Sequence, residues 1–303
     1  MTLNDSSPCA LRTSKGSRRP RLTHPMSTLR EGLMHRTVCL FAIAFSFFLI
    51  AAPMARSVTA QTPQSTLLVV LGDSITWGLG ASVNCTRPTP VAPTCGTTYV
   101  DDLARLLGAA PGFLYQNVGM LGATTVTVPL IEVPQIEPKA TLVVLYAGPT
   151  DQLPIARGEE TLENWKEDYL WALAAIRERA PKARIVVATI PIIANTAEFM
   201  PGGPDALPQT TRWKAVIAAD AMDAFILSQP VDVVDLRCEP DMYNVLLNNG
   251  PGDTFHFRDA GYARLASKFY RVVENGSDPK PSGCSPYTDP PRLDRWYEPF
   301  LSS

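Results

Sequence analysis

Thr66-Leu-Leu-Val-Val-Leu-Gly-Asp-Ser-Ile-Thr-Trp-Gly78 is the stretch whose reading decides the fold. Its apolar run, Leu67 to Leu71, is too short for a buried helix and ends abruptly in Gly-Asp-Ser. That is the pattern of a strand buried on both faces of a parallel sheet. A turn at Gly72 then brings Ser74 to the carboxyl end of the strand, where open α/β sheets place their ligands. Ser74 is therefore a candidate nucleophile. The plainer alternative is that Asp73 or Ser74 caps the helix that follows.

Outward from this stretch, the chain alternates strand and helix signals. Residues 113–118, 141–146, 184–190 and 231–236 read as further strands. Residues 98–107, 161–180, 209–228 and 259–274 read as helices; in the second of these Leu162, Trp165, Tyr169, Ala172, Leu173 and Ile176 recur at three- and four-residue spacing. Residues 123–139 stay open between helix and extended chain, because Pro129, Pro134 and Pro138 forbid a long helix. The alternation predicts a parallel sheet with helices on both faces, a three-layer α/β/α sandwich, since parallel neighbours need crossover connections.

A serine hydroxyl needs a base, and Gly252-Asp-Thr-Phe-His-Phe-Arg-Asp-Ala-Gly261 supplies one. His24 and His35 lie in the leader described below, so His256 is the one histidine of the mature chain. Imidazole has the right pKa to take the serine proton. Asp253, three residues earlier, can share one side of a turn with His256 and orient its ring. A structural loop histidine is the alternative.

Four separated blocks now stand in order: Gly72-Asp73-Ser74 with Ile75, Thr76 and Gly78; Asn117-Val-Gly-Met-Leu-Gly122-Ala-Thr-Thr125; Gly148-Pro149-Thr150-Asp151; and Asp253-Thr-Phe-His256. Together they resemble the GDSL or SGNH hydrolases, a family of esterases and lipases, over nearly the whole mature chain. The resemblance implies a flavodoxin-like sheet and a Ser74, His256, Asp253 triad. It also implies an oxyanion hole formed by the N–H groups of Ser74 and Gly122, with Gly119 as the fallback glycine. The third block departs from the family's Gly-x-Asn-Asp, and Thr150 stands where the family's oxyanion asparagine is. Thr150 then either donates through its hydroxyl or leaves the hole to backbone donors. Trp77 is a candidate wall of the acyl pocket, with core packing as the alternative; Asp73 and Asp151 are assigned with it to substrate binding.

The N-terminus reads as export. Residues 1–33 are polar and aperiodic, a disordered prefix, with Met26 or Met34 as alternative starts. Residues 34–60 carry a basic start, an apolar run from Val38 to Ala52 and the small-residue site Val58-Thr-Ala60, which predicts a signal peptide cleaved before Gln61. A retained membrane anchor is the alternative, though the run is shorter than a span prefers and Pro53 ends it. The hydrolase domain is expected over residues 61–275, and a Pro-rich tail packed on it over 276–303. Without the leader, 19 Lys plus Arg face 27 Asp plus Glu, a net charge near −8 that excludes a nucleic-acid partner. The four remaining cysteines suit a secreted or periplasmic protein, with the pairings Cys85–Cys95 and Cys238–Cys284 expected.

The function implied is a secreted serine esterase or lipase, monomeric, without metal or organic cofactor. Its substrate is a small-molecule, lipid or glycan ester, cleaved through an acyl-enzyme. Two alternatives remain: an acyltransferase on the same triad, and a weakly active ester- or carbohydrate-binding protein with an impaired oxyanion hole.

Overall fold

The computed structural model describes residues 66–85, 88–93, 95–108, 112–191, 206–237, 248–250 and 253–277. The expectations for the leader, the C-terminal tail and the Cys238–Cys284 pair lie outside them. In chain order the elements are β1 (Leu67–Gly72), α1 (Ser74–Trp77), α2 (Tyr99–Leu107), β2 (Leu114–Asn117), β3 (Leu142–Tyr146), α3 (Gln152–Arg157), α4 (Leu162–Arg179), β4 (Arg184–Ala188), α5 (Gln209–Leu227), β5 (Asp232–Val234), β6 (Asn248–Gly250), β7 (Asp253–Phe257) and α6 (Asp259–Asn275).

Strands β1 to β5 form one parallel sheet in the order β2-β1-β3-β4-β5. The alternate residues of β1 explain why its run is uniformly apolar. Leu67, Val69 and Leu71 enter one core with Trp165, Tyr169 and Ile176 of α4 and Met222 and Ile226 of α5. Leu68 and Val70 enter the other, with Tyr99 and Leu103 of α2 and Tyr262, Leu265 and Phe269 of α6. The two cores make the expected α/β/α sandwich, and both depend on period-2 side-chain alternation along the strands.

The strand order reverses at β1. From it the chain steps to β2 on one side, and β3 then takes the other side. Open α/β sheets form a crevice at the carboxyl ends of the strands flanking such a reversal. The turns after β1, β2 and β3, which carry three of the four blocks, therefore meet there.

Two segments differ from the sequence reading. Residues 128–135, left open above, form a π-helical turn (Val128–Glu132) running into a 3-10 turn (Val133–Gln135), each with a proline near its start. His256, expected in a loop, lies in β7, which pairs antiparallel with β6.

Candidate active site

Ser74 begins α1 immediately after the corner that ends β1. Gly72 has φ +148°, and a Cβ there would sit 2.1 Å from the Tyr146 carbonyl oxygen and 2.4 Å from Thr76 Oγ1. Only glycine lets β1 run this close to β3 and turn. Asp73 caps α1: its Oδ1 accepts the Ile75 N–H at 2.9 Å. The capping alternative therefore holds for Asp73. Asp73 is the cap, while Ser74 Oγ lies 2.7 Å from His256 Nε2. Ser74 as a residue is buried, at 9% exposure. Trp77 is half-buried at the end of the same short helix.

The second block is pinned against α1. Asn117 Nδ2 donates to the Thr76 carbonyl at 2.8 Å, and Asn117 Oδ1 accepts the Gly119 N–H at 3.0 Å. A Cβ on Gly119 would meet Thr76 Cγ2 at 2.5 Å, so this glycine buys close approach and its N–H is already spent inside the loop. Gly122 differs. It is exposed, has φ +70° and has no atom within 4 Å of an added Cβ.

In the third block Thr150 lies in a 3-10 turn, Pro149–Asp151, that follows β3. Its hydroxyl donates to Asp73 Oδ2 at 3.3 Å. Asp151 is buried, and its carboxylate accepts the N–H of Thr125 at 3.3 Å and the Thr125 hydroxyl at 3.2 Å. Asp73 is likewise fully buried. Both carboxyl groups thus tie the turns of the site together.

His256 approaches from β7, and its neighbours in α6 bind the loop that leaves α1. Tyr262 donates its O–H to the Leu79 carbonyl at 2.7 Å. Asp259 accepts the Ser82 N–H at 2.8 Å and the Thr97 hydroxyl at 2.7 Å, and also the Ser82 hydroxyl. Asp253 is the first residue of the same strand; its side chain lies outside the described residues. A disulfide joins Cys85 and Cys95, Cα atoms 6.2 Å apart, across the loop between α1 and α2.

Three buried carboxyl groups share this region, and burial is the main cause that pushes each upward. Asp73 rises to about 6, moderated by the Ile75 N–H, the nearby His256 and the Thr150 hydroxyl. Asp151 rises to about 8, with the charges of Glu160 and Asp73 adding to burial and the bonds from Thr125 opposing it. Glu132 rises to about 9; the Gly72 N–H opposes burial and the charge of Asp73 adds to it. Asp259 moves the other way: burial opposes the change, but the bonds from Ser82 and Thr97 outweigh it.

Sequence reasoning assigned no role to Glu132, Asp259 or Tyr262. A lone acidic residue inside the apolar run Val128-Pro-Leu-Ile-Glu-Val133 was the available signal for the first, because such residues are rarely buried without a purpose. Nothing in the sequence links α6 to the loop after α1. Among the described residues no group of three or more His, Cys, Asp or Glu side chains could hold a metal ion.

Residues 70–264 match the model of the GDSL-like Lipase/Acylhydrolase family. No curated protein matches the chain in sequence. Among solved structures, the chain is similar to the extracellular lipase of Streptomyces rimosus, at 17% identity over 70% of this chain and 100% of the lipase, with a TM-score of 0.47. It is similar to the acetyl xylan esterase AlAXEase at 15% identity over 68% of this chain and 99% of that one, with a TM-score of 0.49. The aryl esterase of M. smegmatis matches at 18% identity over 69% of this chain and 99% of its own, with a TM-score of 0.47.

Proposed function

The chain belongs to the GDSL-like lipase/acylhydrolase family, and from that premise we propose that it hydrolyses carboxylic esters with Ser74 as nucleophile and His256 as base. The observation that carries this reading is the 2.7 Å contact between Ser74 Oγ and His256 Nε2. At that distance the imidazole can take the hydroxyl proton as Oγ attacks the acyl carbon. It then gives the proton to the departing alcohol, leaving an acyl-enzyme at Ser74. A water deprotonated by the same ring attacks that ester, releases the acid and restores Ser74. Asp253, in the same strand, is the proposed orienter of the ring.

The developing oxyanion needs donors aimed at it. We assign the N–H groups of Ser74 and Gly122. Gly122 is preferred over Gly119 because the Gly119 N–H already donates to Asn117. Thr150 is not assigned, since its hydroxyl donates to Asp73. An oxyanion hole built from backbone donors alone predicts modest turnover. Trp77, half-buried one turn from Ser74, is the proposed wall for the acyl group of a small-molecule, lipid or glycan ester.

We further propose that the protein works outside the cytosol as a monomer. The Cys85–Cys95 disulfide supports an oxidising compartment, and among the described residues no helix is long and apolar enough to cross a membrane. The test is hydrolysis of a panel of nitrophenyl esters by purified protein and by Ser74→Ala. The reading requires ester cleavage that the variant abolishes; equal rates would refute it.

A further inference from the structure

Glu132 is buried to 0% exposure, and its Oε1 has no hydrogen-bond partner. A half-satisfied carboxyl group in a core is expensive, and removing it would normally stabilise the fold. The other oxygen shows what it does. Oε2 accepts the N–H of Gly72 at 2.8 Å, across 60 residues of sequence. Gly72 is the last residue of β1, at the corner where no other residue fits, and Ser74 follows two positions later. Glu132 ends the π-helical turn, a local irregularity that re-aims one side chain and recurs at functional sites.

We propose that Glu132 is a positioning residue of the nucleophile corner: by accepting the Gly72 N–H it fixes the end of β1 and so sets the line along which Ser74 Oγ meets His256 Nε2. This rests on the reading of Ser74 as nucleophile. Asp73 and Thr76 hold the corner from the α1 side; Glu132 holds it from the core behind the sheet end.

Its charge state follows from its surroundings. Burial first, and the neighbouring Asp73 charge after it, push Glu132 up to about 9 against the pull of the Gly72 N–H. Burial thus favours its neutral acid form at neutral pH, in which Oε2 can still accept the Gly72 N–H. Among the titratable groups on the elements around it are two buried tyrosines. Tyr99 of α2, which feels the charge of Glu132, is raised far above the ordinary phenol range by its burial. Tyr169 of α4, the helix that packs on the π turn, is raised likewise. Both stay neutral throughout; the 3-10 turn that follows has no charged side chain of its own (Val133, Pro134 and Gln135), and the Arg179 guanidinium of α4 donates to the carbonyls of Pro134 and Ile136. Asp73 is the anion whose charge bears on Glu132 as the latter ionises, and Asp151, which feels Asp73 in turn, ionises at about 8. A second buried anion at the corner would oppose the negative charge that develops on the substrate oxygen.

The experiment is hydrolysis of phenyl acetate by the full chain from pH 6 to 10, with wild type, Glu132→Gln, Glu132→Leu and Ser74→Ala. Glutamine keeps a neutral carbonyl acceptor for Gly72; leucine removes it. The proposal predicts Glu132→Gln within about threefold of wild-type kcat at pH 7, and Glu132→Leu lower by about tenfold or more with KM nearly unchanged. Wild-type kcat should fall as pH passes about 9, and Glu132→Gln should lack that fall. Wild-type kcat in Glu132→Leu, or the same alkaline profile in wild type and Glu132→Gln, would overturn it. If Glu132→Leu does not fold, the comparison of pH profiles decides alone. Full activity in Ser74→Ala would overturn the nucleophile reading and this inference together; loss there beside unaffected Glu132 variants would overturn this inference only.

Discussion

Ser74 rises from a corner built into the five-stranded sheet, whereas His256 comes from a two-stranded hairpin that shares no strand with it. The serine side is fixed in part locally. The Asp73 cap is two residues from its donor, and Gly72 and Gly119 let backbones approach where a Cβ could not. The histidine side is fixed at long range, by bonds from Tyr262 to Leu79 and from Asp259 to Ser82 and Thr97 that join residues more than 160 positions apart. The serine half thus combines a local cap with partners 41 to 77 residues away, and the histidine half relies on partners more than 160 positions away. Changes in the two halves should differ accordingly.

The sharpest break removes either reacting group. Ser74→Ala and His256→Ala should each lower ester kcat by about a thousandfold or more, because the two act as one unit. Retention of more than about a tenth of the rate in His256→Ala would remove it from the chemistry, since the mature chain expected from Gln61 onward holds no second histidine.

Thr150 tests the serine half in the other direction. Its hydroxyl bonds Asp73, so Thr150→Ala should change kcat little, whereas Thr150→Asn places a longer donor at the oxyanion position. We expect about a tenfold or larger gain in kcat at nearly constant KM, the signature of an interaction made only in the transition state. A strong loss in Thr150→Ala would mean that its link to Asp73 matters more than the missing donor.

On the histidine half, Asp259→Ala removes the acceptor that joins α6 to the loop after α1. Misplacement of His256 should lower kcat by roughly threefold to tenfold while Ser74 itself is untouched. An unchanged kcat would show that the hairpin holds its histidine without this clamp.

How far the sequence could be read follows the same division. The five parallel strands and their helices were legible because apolar residues recur with periods of two and three to four, and the nucleophile corner because Gly-Asp-Ser closes a uniformly apolar run. The hairpin carrying His256 was not, since β6 is only three residues, Asn248–Gly250, and has no apolar alternation to announce it. Residues 123–139 stayed open because prolines argue against a helix without saying what replaces it; the answer is a π turn from which Glu132 reaches Gly72, 60 residues away. The destination of the Thr150 hydroxyl is equally tertiary, 77 residues from its acceptor.

The smallest effect concerns stability against pH. Asp73, Asp151 and Glu132 keep protons in the folded chain, to about 6, 8 and 9, that the unfolded chain releases from ordinary values of 3.8, 3.8 and 4.5. The unfolded state then binds fewer protons over that window, so stability falls as pH rises from about 4 to about 9. Asp235 works oppositely: burial resists, but the bonds and charge of Arg237 hold it below 3.8, so its contribution is lost only at lower pH. Asp259 behaves in the same way. Thermal denaturation should give a Tm several degrees higher at pH 5 than at pH 8, with a shallower slope in Glu132→Gln. A maximum near pH 8 would contradict the buried acids.

The central claim is that Ser74 is activated by His256. It is tested most directly by reacting the full chain with a fluorophosphonate and mapping the adduct by mass spectrometry, in wild type and in His256→Ala. The account predicts one adduct, on Ser74, formed at least about a hundredfold more slowly in His256→Ala. An adduct on another residue, or equal rates in the two proteins, would contradict it.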